Sequence, residues 1–187
     1  MFKPLLLISI SILLLQKGIA QIASPGTPTS KHVSLSKAPT VILPAIPLQQ
    51  LLAEDELDKK TGQPPRFGHK TSADYKLSNS GLWSSVPGGR VWRLRVIGRG
   101  ARSIHFLFDE FRLPPGATLF LYNDDYSYVA GAFTQANEQP DGKFATAPVK
   151  GEAVTLELFE PSRYQNKSRL HIAQSVYAYR DLFDLAD

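Results

Sequence analysis

The chain has 187 residues, 43% hydrophobic and 20% charged, with a formal net charge of +4. This is ordinary globular composition; it excludes a wholly disordered chain, and its mild basicity lacks the concentrated positive charge of a dedicated nucleic-acid binder. Cysteine is absent, which excludes disulfide staples, thiolate catalysis, cysteine-rich zinc sites and a lipoprotein anchor.

In chain order, Lys3 and the apolar run 5–15 are followed by small residues at Gly18 and Ala20. That is the layout of a Sec signal peptide over 1–20, cut between Ala20 and Gln21. The run is too short to span a bilayer comfortably. Cleavage removes Lys3 and Lys17 and lowers the net charge from +4 to +2. The product is expected to be secreted or periplasmic, with no membrane span. Residues 21–46 carry Pro25, Pro28, Pro39 and Pro44 among Ser, Thr and Lys, the composition of an extended, disordered leader. Residues 47–62 predict a short helix opened by Pro47 and closed at Gly62, with Leu48, Leu51, Leu52 and Leu57 as its apolar stripe.

After the loop 63–70, strand signals run to the end. They fall at 72–78, 89–98, 102–109, 117–123, 126–133, 143–149, 152–160 and 168–180. In 89–98 alternation places Trp92, Leu94 and Val96 on one face and Arg93 and Arg95 on the other. Asp124-Asp125 reads as a hairpin turn, and Pro148 suits an edge strand. The expected fold is all-β: a jelly-roll-like antiparallel β-sandwich of about eight strands over 63–187, with a closed barrel as competitor.

Motifs for chemistry are sparse. G-x-S-x-G and G-D-S-G-G are absent, and "NSGLW" at 79–83 reads as a turn before a strand. Asp109, Glu110, Asp124, Asp125, Asp141 and Glu160 are carboxylates by type, but strand ends and turns carry acids routinely. The "NDDYS" turn lacks EF-hand spacing, so no metal or other cofactor is expected. "NKS" at 166–168 matches a glycosylation sequon, relevant only in a eukaryotic secretory route. His105 and His171 are expected on the surface. Arg90, Arg93, Arg95, Arg99 and Arg102 read as a solvated sheet face or a basic docking face for a protein. Tyr122, Tyr126 and Tyr128 read as hairpin cross-strand pairs or as a stacking platform for a sugar.

The series "RFG", "NSGLW", "GGRVWRLRV", "GARSIHFLFDEFRLPPGATLFLYN", "VAGAFT", "FATAPVKGEAVTLELFEP" and "LHIAQSVYAYR" resembles the N-terminal pro-region of secreted bacterial lysyl-endopeptidase-type, trypsin-like serine proteases. The likeness covers roughly 64–180. In that family such a β-sandwich precedes a cysteine-rich catalytic domain with a His/Asp/Ser triad. No residue here occupies a triad position, so the resemblance implies a non-catalytic module, a fragment or a free-standing copy. Its implied partner is a serine protease catalytic domain, bound in cis in the family and in trans here. It would act as folding assistant or inhibitor, with contact expected at Arg93 and Arg95 or at Tyr126 and Tyr128. An extracellular carbohydrate- or surface-binding module is the alternative.

Overall fold

The computed structural model describes residues 23–181. The Ala20–Gln21 processing bond and the tail 182–187 lie outside the described residues. The fold is mostly β with one α-helix, arranged as two sheets of six and five strands.

Alternation along the strands sets both faces of the first sheet. It contains β1 (Thr40–Ile42), β3 (Leu82–Val86), β4 (Gly89–Ile97), β6 (Thr118–Asn123), β7 (Val129–Phe133) and β10 (Ala153–Pro161). The order is β1-β4-β10-β6-β7, with β3 sharing the edge of β4. Leu156 pairs with Leu94 and Leu121, and Leu158 with Trp92 and Leu119. One step along, Glu157 pairs with Arg93 and Phe120, and Thr155 with Arg95 and Tyr122. A side-chain period of two sends the first rows inward and the second outward.

The second sheet runs β2 (Gly68–Lys76), β11 (Arg169–Ala178), β5 (Ser103–Arg112) and β8 (Phe144–Ala145), with β9 (Val149–Lys150) also on β5. Trp92, Leu94, Leu119, Leu156 and Leu158 of the first sheet share one buried cluster with Ile104, Phe106, Phe108 and Phe111 of the second. Two layers around a common core are consistent with a β-sandwich.

Several expectations need correction, beginning with number: there are eleven strands among the described residues rather than about eight, because β1 and β3 fall where no strand was expected and one expected strand is two. The sheets are not purely antiparallel, because β1 runs parallel to β4, with Thr40 opposite Arg95 and Ile42 opposite Ile97. The stretch 143–149 is two strands. Thr146 Oγ1 accepts the Phe106 N–H at 3.0 Å in place of a main-chain carbonyl, and Pro148 has no N–H to offer. The second hairpin strand begins at Val129, not at 126. The Asn123 side chain accepts the Tyr128 N–H at 2.9 Å, Asp125 accepts that of Ser127 at 3.0 Å, and together they close a longer loop. The helix α1 (Leu48–Lys60) buries Leu51 and Asp55, leaving Leu48, Leu52 and Leu57 exposed. Its anchor is polar: Asp55 accepts hydrogen bonds from Tyr179 and Arg180, each at 2.9 Å.

The leader departs furthest from expectation. Ser24 exchanges two main-chain hydrogen bonds with Ala132 of β7, at 2.9 and 3.1 Å. The chain then passes Gly26, where an added Cβ would stand 3.1 Å from the Phe120 ring. It makes a 3-10 turn over Thr29–Lys31 and joins the opposite edge of the sheet as β1. A segment expected to be disordered is thus a strap from one edge of the first sheet to the other. Composition flagged its extended backbone but not the sheet beneath it.

Candidate functional site

The strap and the outer face of the first sheet form the most elaborate polar and aromatic contact in the described chain. β4, β6 and β10 present Arg93, Phe120, Tyr122, Thr155 and Glu157 there, and all five are buried, Glu157 to 1% exposure. An outward row should be wet; the leader keeps it dry.

Glu157 is where the two surfaces lock. It accepts the Tyr122 hydroxyl at 2.7 Å and the Ser30 N–H at 3.2 Å. The Ser30 hydroxyl lies 2.8 Å from that of Tyr122 and 2.9 Å from that of Tyr126. Each hydroxyl has one proton. Tyr122 gives its proton to Glu157, so its oxygen accepts from Ser30, and Ser30 in turn accepts from Tyr126. The outcome is a directed chain, Tyr126 to Ser30 to Tyr122 to Glu157, in which each link polarises the next. Burial, and then the charge of Glu157, push the Tyr122 hydroxyl well above the usual phenol range. The two rings stack with centroids 4.5 Å apart, and the Lys31 ammonium lies 5.1 Å over the Tyr126 ring.

The two arginines do different work. Arg93, at 8% exposure, donates to the Ser36 carbonyl of the strap, and its Nε is buried without a hydrogen-bond partner. Arg95 grips Asp124 through both ends of its guanidinium, with Nε to Oδ1 at 2.9 Å. That pairing holds the Asp124 carboxyl below the usual range, against the opposing effect of burial. Arg93, Arg95 and Tyr126 therefore meet at this face. Tyr128 does not: it packs on the main core, so Tyr126 and Tyr128 share no platform. Arg93 therefore does not sit on a solvated face, and Arg95, half-buried, is engaged by Asp124.

Sequence reading missed Ser30, Ser36 and Glu157. Glu157 alone left a trace, as a carboxylate amid the apolar run of β10. The other carboxylates serve local structure. Glu160, at 0% exposure, pairs with Arg90 at 2.6 Å. Arg90 also donates to the sequon residue Asn166 at 2.8 Å. Asp125 and Asp141 accept N–H groups within their own turns. His171 lies between Asp109 (Nδ1, 2.6 Å) and Asp74 (Nε2, 2.9 Å), joining β2, β5 and β11 on the second sheet. Its Nε2 contact has ion-pair distance without hydrogen-bond geometry. His105 is half-buried, and burial, then Lys70, lower its pKa. A cleft of about 360 Å³ beside α1 is lined by Asp55, Lys59, Arg66 and Arg180 among others.

Among the described residues no group of three or more His, Cys, Asp or Glu is placed to hold a metal ion, and no helix is long and apolar enough to cross a membrane. Compared with known protein families, the sequence matches no family model.

Proposed function

We propose that this chain is a non-catalytic, exported pro-domain-like module with a jelly-roll-like sandwich body. It binds the catalytic domain of a secreted trypsin-like serine protease, assisting its folding and blocking its cleft. The observation that carries the reading is the strap: an extended peptide on a rigid sheet, its outward side exposed from Ser34 to Lys37 apart from half-buried Leu35. Protease clefts take extended chain, and an exposed run fixed on a rigid body loses little entropy on docking. The likeness of 64–180 to protease pro-regions supports the same partner. A module that binds only the folded protease stabilises it by mass action.

The test adds the purified chain to a refolding lysine-specific, trypsin-like catalytic domain and, separately, to the native enzyme. Recovered activity should rise with added chain, and native activity should fall near one equivalent. Curves that match those with serum albumin overturn the proposal. The carbohydrate alternative invoked Tyr122, Tyr126 and Tyr128 as one platform; Tyr122 is buried and stacked on Tyr126 while Tyr128 packs on the main core, so the three rings offer no common open plane in its support.

A further inference from the structure

Between Ser34 and Pro39 the strap has neither helix, strand nor turn. Its main chain is engaged at two points: the Ser36 carbonyl accepts from Arg93, and the Pro39 carbonyl accepts the Arg95 N–H at 2.9 Å. Lys37 lies between them, exposed, and neither it nor Ala38 has a main-chain hydrogen bond among the described residues. An endopeptidase pairs its cleft edge with the free N–H and C=O groups of an extended substrate. A bond held in a helix, ladder or closed turn must first open locally.

The other described lysines are held in that way. Lys31 is in the 3-10 turn, where His32 and Val33 both donate to the Thr29 carbonyl. Lys59 and Lys60 end α1, closed by bonds from Thr61 and Gly62. Lys70, Lys76 and Lys150 are in strands, and the N–H groups of Lys143 and Lys167 are bound by Asp141 and Glu160.

We propose that Lys37–Ala38 is a processing bond for a lysine-specific serine endopeptidase, and that cutting it unlatches the strap from the first sheet. One water is consumed. The amide C–N bond breaks, leaving a carboxylate on Lys37 and an amine on Ala38. Upstream, the Ser24 pairing, the Ser30 hydrogen bonds and the Arg93–Ser36 contact then hold a peptide without a covalent tether, so its effective concentration falls. Downstream, Ala38 leads into β1, which stays paired. The choice of enzyme class rests on the protease-partner reading; the openness of the bond does not.

The experiment treats the chain from Gln21 with catalytic amounts of a lysine-specific endopeptidase and follows intact mass and gel filtration. The first cut should fall at Lys37–Ala38, about tenfold faster than any other. The peptide ending at Lys37 should separate from the body, and Lys37→Gln should abolish that cut. A first cut elsewhere, or a Lys37→Gln chain cut in the same region at the same rate, overturns the site. Retention of the peptide after cutting overturns the unlatching. Lys37→Gln also separates the two readings: if it still inhibits a native protease that leaves this bond intact in the wild type, the partner reading stands and the processing site fails. If the bond is cut as described but no protease is bound or rescued, the partner reading fails alone.

Discussion

Glu160 shows how one residue ties a surface turn to a core strand. It accepts the N–H groups of Asn166, Lys167 and Ser168 at 2.9, 3.1 and 2.8 Å as well as the Arg90 guanidinium. Burial raises its pKa, but these donors outweigh it and hold the carboxyl below its ordinary 4.5. A depressed folded-state pKa stabilises above the unfolded value, and that stability disappears as pH falls through the folded one. Glu160→Gln should therefore lower the unfolding free energy at neutral pH by about 3 kcal/mol, since Arg90 loses its buried partner. The gap from wild type should narrow below pH 4.5. Urea titrations across that range decide it; a gap that stays constant down to pH 3 would exclude the carboxylate as its origin. Asp55 follows the same pattern: burial raises its pKa, and the Tyr179 and Arg180 hydrogen bonds more than reverse this. The sequence shows both residues as acids of ordinary spacing; their partners are 70 and 125 positions away.

At the scale of elements, strands and strap differ in how they are held. β4, β6 and β10 exchange full ladders and bury alternate apolar side chains. The strap buries little beyond Pro28 before Leu43, and depends on main-chain and hydroxyl contacts. A unit with few buried apolar contacts opens more readily than the body it lies on. A chain beginning at Pro39 should keep the strand signal in circular dichroism and still unfold cooperatively. It should bind a hydrophobic-surface dye several-fold more strongly, because Phe120, Tyr122 and Ala132 become wet. Unchanged dye binding would mean that the strap does not shield this face in solution. Strand positions were largely legible, since period-two alternation with Gly, Pro and Asp punctuation is local. The helix was placed within two residues, yet its docking face was misjudged: a stripe of leucines marks a helix but not which side finds a partner.

Across the whole molecule, one apolar cluster joins the two sheets, so they should lose structure together. Leu156, at 0% exposure and paired between Leu94 and Leu121, is the place to test it. Leu156→Ala should cost about 3 kcal/mol by leaving a cavity. Tryptophan fluorescence, reporting Trp83 and Trp92 of the first sheet, and far-ultraviolet dichroism, reporting both sheets, should shift to the same lower urea midpoint; separate midpoints would show sheets that fold independently. By itself the sequence determined the β character, the inward rows of β4, β5 and β10, the helix and the absence of cysteine chemistry. These follow from composition and short-range periodicity, which every window of the chain carries. The tertiary structure alone decided that β1 pairs in parallel, that the proline-rich leader crosses a sheet, and that Ser30 and Glu157, 127 positions apart, share a hydrogen bond. Such contacts depend on which distant surfaces are left open once the strands have paired, and no local pattern encodes that.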